Sequence, residues 1–256
     1  MKRIWGYVVS LLATGTLVGA ALPACATNDQ TIFIRAVLAP SANRQGGSCT
    51  YNNDPQQAAL FLPVVDIGLT DSYFAVLLVG NQLIPRGDPL ANRAESNRVH
   101  LNGGVVRVDN PDGSPIREFT SLATGFNDPQ NNSSPGYAPV GLVVLDAPTK
   151  DALLPSVQTR GTSRTVLITV KVFGTSVGGV DVESGEFQFP MEVCRGCLIN
   201  YSLGVDPAKP TLNCDKAPDT NAAAATNGPC LRGQDLKTDC RDCRGLVPDI
   251  CDPNVR

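Results

Sequence analysis

Histidine and tryptophan are nearly missing from this chain, with one of each in 256 residues. Each near-absence removes a class of explanation. The one histidine, His100, falls in an expected strand, where it reads as a solvent-facing side chain and not as the base that Ser-His-Asp hydrolysis needs. The one tryptophan, Trp5, sits at the extreme N-terminus, so the body of the chain lacks the buried Trp that marks a true immunoglobulin domain. No glycine-rich phosphate cradle precedes a helix. Positive charge is not in excess: the formal net charge is −3, with both signs interspersed, which argues against nucleic acid as a partner. After the N-terminus no apolar run approaches the roughly 20 residues that a membrane-spanning helix needs.

What the chain does have begins at its first residue. Met1, Lys2 and Arg3 are followed by residues 4–22 without a charge, the order of a secretory signal. Gly6, Ser10, Thr14, Gly15, Thr16 and Gly19 dilute the run and make it a poor permanent span. It ends in Leu22-Pro23-Ala24-Cys25, which resembles the lipobox of bacterial lipoproteins: a Leu at minus three and a small residue at minus one before a cysteine. The resemblance implies a diacylglycerol on the Cys25 thiol, cleavage before it and acylation of the new amine. It also implies an outer-membrane destination, since Ala26 stands where an acidic residue would favour inner-membrane retention. Pro23 departs from the usual small residue. Ala24-Cys25-Ala26 offers ordinary signal cleavage instead, which would release a soluble periplasmic or secreted chain starting at Thr27.

Nine cysteines is an odd number for an exported chain. Either cleavage site takes Cys25 out of the pool and leaves Cys49, Cys194, Cys197, Cys214, Cys230, Cys240, Cys243 and Cys251. In an oxidising compartment these eight predict four disulfides. If all pair within the chain, Cys49 must bond to one of the other seven, all of which lie from Cys194 onward. The remaining connectivity is open.

Residues 31–197 consist of short runs rich in Val, Ile, Leu, Phe and Thr, separated by Gly, Pro, Asn and Asp. Strands are expected at 31–38, 60–69, 73–83, 99–101, 105–108, 116–122 and 140–145, with Asn102-Gly103-Gly104 and residues 110–113 as turns. Residues 164–173 and 186–193 alternate apolar and polar side chains and read as a hairpin with one buried face. A short helix is expected at 149–154, with Thr149 as N-cap. Loops at 39–57 and 125–139 stand between strands. This pattern predicts an all-β fold, an antiparallel β-sandwich of the architecture that immunoglobulin-like domains share, with its topology open.

Residues 198–256 are poor in aromatic and β-branched side chains and rich in proline, so they cannot bury enough apolar surface to order themselves unaided. The organisation expected is a signal at 1–24, a tether at 25–30, a sandwich at 31–197 and a Cys-rich tail at 198–256 packed on it by disulfides.

Two Cys-x-x-Cys motifs, Cys194–Cys197 and Cys240–Cys243, invite redox and zinc readings. Neither is expected to open the helix that a redox thiolate needs. The 42 residues between them exceed the usual separation of about 15–20 for a zinc site, and no metal or cofactor is expected. The acidic stretch Asp109–Gly113 lacks the alternating oxygen donors of a calcium loop and reads as a turn. Glu183 and Glu186 read as exposed charges flanking another.

Lipobox, β-rich body and a tail carrying Gly233-Gln234-Asp235 and Cys240-x-x-Cys243 together resemble the uncharacterised Cys-rich lipoproteins of myxobacteria. That resemblance implies no activity. The expectation is a non-enzymatic, membrane-anchored envelope protein of binding or structural role: one that binds another envelope protein or a glycan through the loops at 39–57 and 125–139, or a purely structural envelope component. The alternative is an enzyme, either a thiol-disulfide oxidoreductase using Cys194 and Cys197 or a carboxylate-dependent hydrolase.

Overall fold

A computed structural model of the chain describes residues 31–41, 49–56, 58–88, 90–131, 134–203, 212–215 and 229–253. The fold is all-β. Nine strands form its body: β1 (Ile32–Val37), β2 (Val64–Asp66), β3 (Tyr73–Asn81), β4 (Val99–Asp109), β5 (Pro115–Asn127), β6 (Gly136–Leu145), β7 (Ser163–Ser176), β8 (Asp181–Glu183) and β9 (Phe187–Cys194). One sheet has the order β1-β3-β6; the other runs β2-β9-β7-β4-β5, with β8 extending it beside the end of β7. Within these two sheets the strands pair antiparallel except at the β2–β9 edge.

The two sheets meet in one apolar cluster. β7 contributes Val166, Ile168, Val170 and Val172, and β3 contributes Tyr73, Ala75, Leu77 and Val79. The period-two alternation of β7 is the direct cause: every second residue faces the opposite sheet. β3 is buried on both faces, because Val76 and Leu78 pack outward beneath Leu38, Tyr51 and Tyr137.

The expected turn at Asn102-Gly103-Gly104 is instead the middle of one strand, β4. Opposite β7 this strand carries one extra residue between Leu101 and Gly103, a bulge. The shift puts Leu101 and then Gly104 in the core, three residues apart, so that Val106 and Val108 also point inward. Glycine serves close approach here: a Cβ on Gly103 would stand 2.5 Å from the Ser121 carbonyl oxygen, and one on Gly104 would stand 2.9 Å from that of Lys171.

Other boundaries also move. The run at 60–69 is a strand only over β2. The loop at 125–139 shrinks, because β5 continues to Asn127 and β6 starts at Gly136. The helix α1 (Ala147–Leu153) is capped by Asp146, whose carboxylate accepts from the Thr149 N–H; Thr149 is inside the helix and Pro155 falls in a following 3-10 turn. The expected turn at 110–113 is present, with Gly113 at φ +83 donating its N–H to the Asn110 carbonyl. β7 and β9 pair over 163–170, while β8 takes up the end of β7 between them.

The sandwich has two distinct ends. At the entry end the chain arrives at β1, and β3, β5 and β7 finish. There Asn81 donates to the Asn97 and Asn127 carbonyls, and Asn127 donates to the Val79 carbonyl, which joins the two sheets. At the far end β1, β4, β6 and β9 finish, and the tail departs.

The described tail has little regular structure: β10 (Ile199–Asn200), β11 (Ser202–Leu203), β12 (Leu212–Asn213), β13 (Thr238–Asp239), α2 (Cys240–Cys243) and α3 (Pro248–Cys251). Its apolar cluster is Ile199 and Ile250 with Cys214, Cys240, Cys243 and Cys251. Residues 233–235 lie along the outer side of β2. Asp66 N–H donates to the Gly233 carbonyl, the Asp235 N–H to that of Val64, and Val65 bridges Gln234. The tail thereby covers an edge that would otherwise offer unpaired backbone groups.

Candidate functional site

The cysteines are the best-defined candidates, and the structure pairs all eight after Cys25: Cys49–Cys230, Cys194–Cys197, Cys214–Cys240 and Cys243–Cys251. Cys25 itself lies outside the described residues. Cys49–Cys230 joins positions 181 residues apart and fixes the loop after β1 to the start of the described C-terminal segment. The second Cys-x-x-Cys motif does open a helix, contrary to expectation: Asp239 caps α2 by accepting from the Arg241 N–H. Its two cysteines nonetheless bond to different partners, so they are not a dithiol pair.

The first motif closes on itself at the end of β9, and a residue not singled out by sequence stands beside it. Asp66 is fully buried, and one of its carboxylate oxygens lies within 4.8 Å of both sulfurs. It accepts from the backbone N–H groups of Gly196 at 2.8 Å, Leu198 at 3.0 Å and Gly68 at 3.1 Å. Burial pushes its carboxyl above the usual aspartate value, against the pull of those N–H groups. Asp66 and the two sulfurs have the spacing of a metal-ligand set, but sulfurs bonded to each other have no thiolate to offer. Arg160 covers the loop, its aliphatic stem against Gly196 and its guanidinium donating to the Asp249 and Asp252 carbonyls. The arrangement immobilises the Cys194–Cys197 loop and ties it to α3.

A second far-end feature is a crease between the loop after β1, the start of β3 and the tail. Leu38, Tyr51, Leu60, Phe74 and Leu236 line it, with Tyr73 and Asp235 at its base. The Tyr73 hydroxyl donates to Asp235 at 2.8 Å, and the Val64 N–H donates to the same carboxylate at 3.0 Å. Burial raises both groups, and for Tyr73 the Asp235 charge adds to the effect. The enclosed space is only about 20 Å³, room for a water and far below a small-molecule pocket. Two aromatic rings are exposed at this end: Phe74, in the lining of the crease, is 42% exposed, and Phe61, next in sequence to the lining residue Leu60, is 85% exposed. Such a surface suits side chains of another protein better than a buried small ligand.

The two loops expected to make contact lie at opposite ends of the sandwich and do not form one surface. Of the first, the described residues 39–41 and 49–56 are at the far end beside the crease; of the second, the described residues 128–131 and 134–135 are at the entry end. His100 is half-buried, stacked on Phe126 at 4.8 Å with Nε2 3.4 Å from the Thr124 hydroxyl, on the outer face of β4 and β5. Glu183 pairs with Lys171, and Glu186 reaches Arg107 at 3.5 Å. Asp112 accepts from Ser114 within its turn.

No family model matches the chain, and no curated protein matches it. Among solved structures, a solution structure described as a late embryogenesis abundant (LEA) protein is similar, at 12% identity over 50% of this chain and 70% of that one. The TM-score is 0.23, too low a likeness to carry an argument.

Proposed function

We propose that this is an exported, non-enzymatic lipoprotein, held in the outer membrane of a bacterial envelope through acylated Cys25, whose far end docks another envelope protein. The observation that carries the reading is the apolar crease with its exposed rim, Phe61 and Phe74, at the end opposite to the one where the chain enters. An anchor at Cys25 would leave that end facing away from the bilayer. The Cys49–Cys230 bridge supports the same reading, since a docking loop fixed in advance loses less entropy on binding.

Two measurements test it. Intact-mass analysis of the protein from native membranes is expected to give a chain beginning at Cys25 with a thioether-linked diacylglycerol; a lipid-free chain beginning at Thr27 refutes the anchor. A photo-crosslinking side chain at Phe61 is expected to trap a fixed neighbour in intact cells, whereas one at Thr120, on the outer face of the larger sheet, is not. Adducts at Thr120 and none at Phe61 would move the docking surface to that face.

A second reading rests on Asp66. Its buried carboxyl has a raised proton affinity and lies within 4.8 Å of both sulfurs of the Cys194–Cys197 bridge, so it would be placed to take up and return a proton were that bridge reduced and re-formed. Acceleration by the purified protein of insulin reduction by dithiothreitol, which supplies the two electrons per bridge, and loss of that acceleration in Cys197→Ser support that reading; absence of any acceleration ends it.

A further inference from the structure

The entry end carries its own set of exposed apolar side chains, and they stand on a stiff platform. Leu90, at the tip of the loop between β3 and β4, is 97% exposed; Ile84 in the same loop is 67% exposed; Val177 and Val180, in the turn after β7, are 57% and 55% exposed. The acidic groups of the loop are turned onto its own backbone. Glu95 accepts from the N–H groups of Arg86, Gly87 and Asn97, and Asp88 accepts from that of Leu90. Asp88 and Arg93 pair through their main chains, which makes a closed turn beneath Leu90. The second turn is bonded to the first loop: the Val177 N–H donates to the Arg98 carbonyl and the Gly178 N–H to that of Ser96. Arg86 and Arg93 are exposed on either side of Leu90.

From this the geometry points to the entry end as a lipid-contacting surface, with Leu90, Ile84, Val177 and Val180 seated at the acyl boundary and Arg86 and Arg93 among anionic headgroups. Apolar tips flanked by cations are the composition that partitions into the bilayer interface. The occupant is set by chain length. β1 begins at this end, and residues 26–31 can extend at most about 20 Å from Cys25. A lipid on Cys25 therefore keeps this end, and not the crease, within reach of the bilayer. The inference rests on the anchored reading above, and its test separates the two.

The sole tryptophan, Trp5, belongs to the signal, so the processed chain carries none and a single introduced Trp reports alone. Full-length Leu90→Trp, Val177→Trp and Leu246→Trp variants would be expressed, purified from membranes, weighed intact and reconstituted into phosphatidylethanolamine and phosphatidylglycerol vesicles with brominated acyl chains. With the lipid present on Cys25, emission from the Leu90→Trp and Val177→Trp variants is expected to shift to the blue and be quenched. The Leu246→Trp variant, with its reporter in the tail, is expected to emit as in water. If the lipid is on Cys25 and neither entry-end reporter is quenched, the surface is refuted while the anchor stands. If Cys25 carries no lipid, the mass shows that the anchor itself has failed, and the inference falls with it.

Discussion

In the sandwich, β7 alone sets four β-branched side chains against the opposite sheet, in a core that draws on eight of the nine strands, with half-buried Ile116, Phe119 and Ala123 of β5 packed against it. The tail's cluster has two isoleucines and four half-cystines, and its strands are two residues long. One part of the molecule is thus held by buried apolar area, the other by cross-links and by backbone hydrogen bonds to the edge of β2. The difference locates their weak points. Removing a core side chain should damage the sandwich and the docked tail together, whereas removing a bridge should damage the tail and leave the sandwich standing.

The largest effect is expected from Ile168→Ala. Ile168 is fully buried in the middle of β7, and a cavity there should cost about 2–5 kcal/mol; calorimetry should show one lowered transition. Cys49→Ser with Cys230→Ser opens the longest covalent loop, and about 2–4 kcal/mol should be lost. Here proteolysis should cut residues 229–253 early while the sandwich remains intact; simultaneous digestion of both would erase the distinction between the two parts.

A smaller loss, about 1 kcal/mol, is expected for Asp146→Ala, which removes the α1 cap and the partner of Arg117; urea melts should detect it. Smaller again is an opposite pH response of the two regions. Burial pushes the Asp146 carboxyl up, but Thr149 and Arg117 outweigh it and hold it below the usual value. Its contribution is therefore present above the unfolded pKa and is lost as pH falls through the folded one. Asp66 and Asp235, at the seam between sandwich and tail, are raised. Their contribution is present below the ordinary aspartate value and is lost as pH rises through the folded one. Acidification from neutrality should thus tighten the seam, and Asp235→Asn should flatten that response in proteolysis of the tail.

The β7 and β9 strands were legible in the sequence because one wet and one buried face impose period two. β4 was not, because Asn102-Gly103-Gly104 has the composition of a turn. Only contact with Phe173 and with the Ser121 and Lys171 carbonyls, all distant in sequence, explains glycine there. The α1 cap was misplaced by three residues because Asp146 and Thr149 are both good caps, and tertiary pairing of Asp146 with Arg117 favours the first. Asp66 left a faint signal: an acid inside the apolar run Val64-Val65-Asp66-Ile67, which burial obliges to find partners. Asp235 stood out only within the Gly233-Gln234-Asp235 run, with no sign of its burial, since its partners Val64 and Tyr73 are supplied by the fold. The cysteine list was legible by parity, but not the pairing, because it depends on where loops far apart in sequence meet.

Hydrogen exchange of the full protein before and after reduction of its disulfides under native conditions separates the two kinds of stabilisation most directly. If cross-links hold the tail and apolar burial holds the sandwich, reduction should release protection over 198–203 and 229–253 while β3, β4 and β7 stay protected. Uniform loss of protection across all strands, or a tail that remains protected after full reduction, would contradict it.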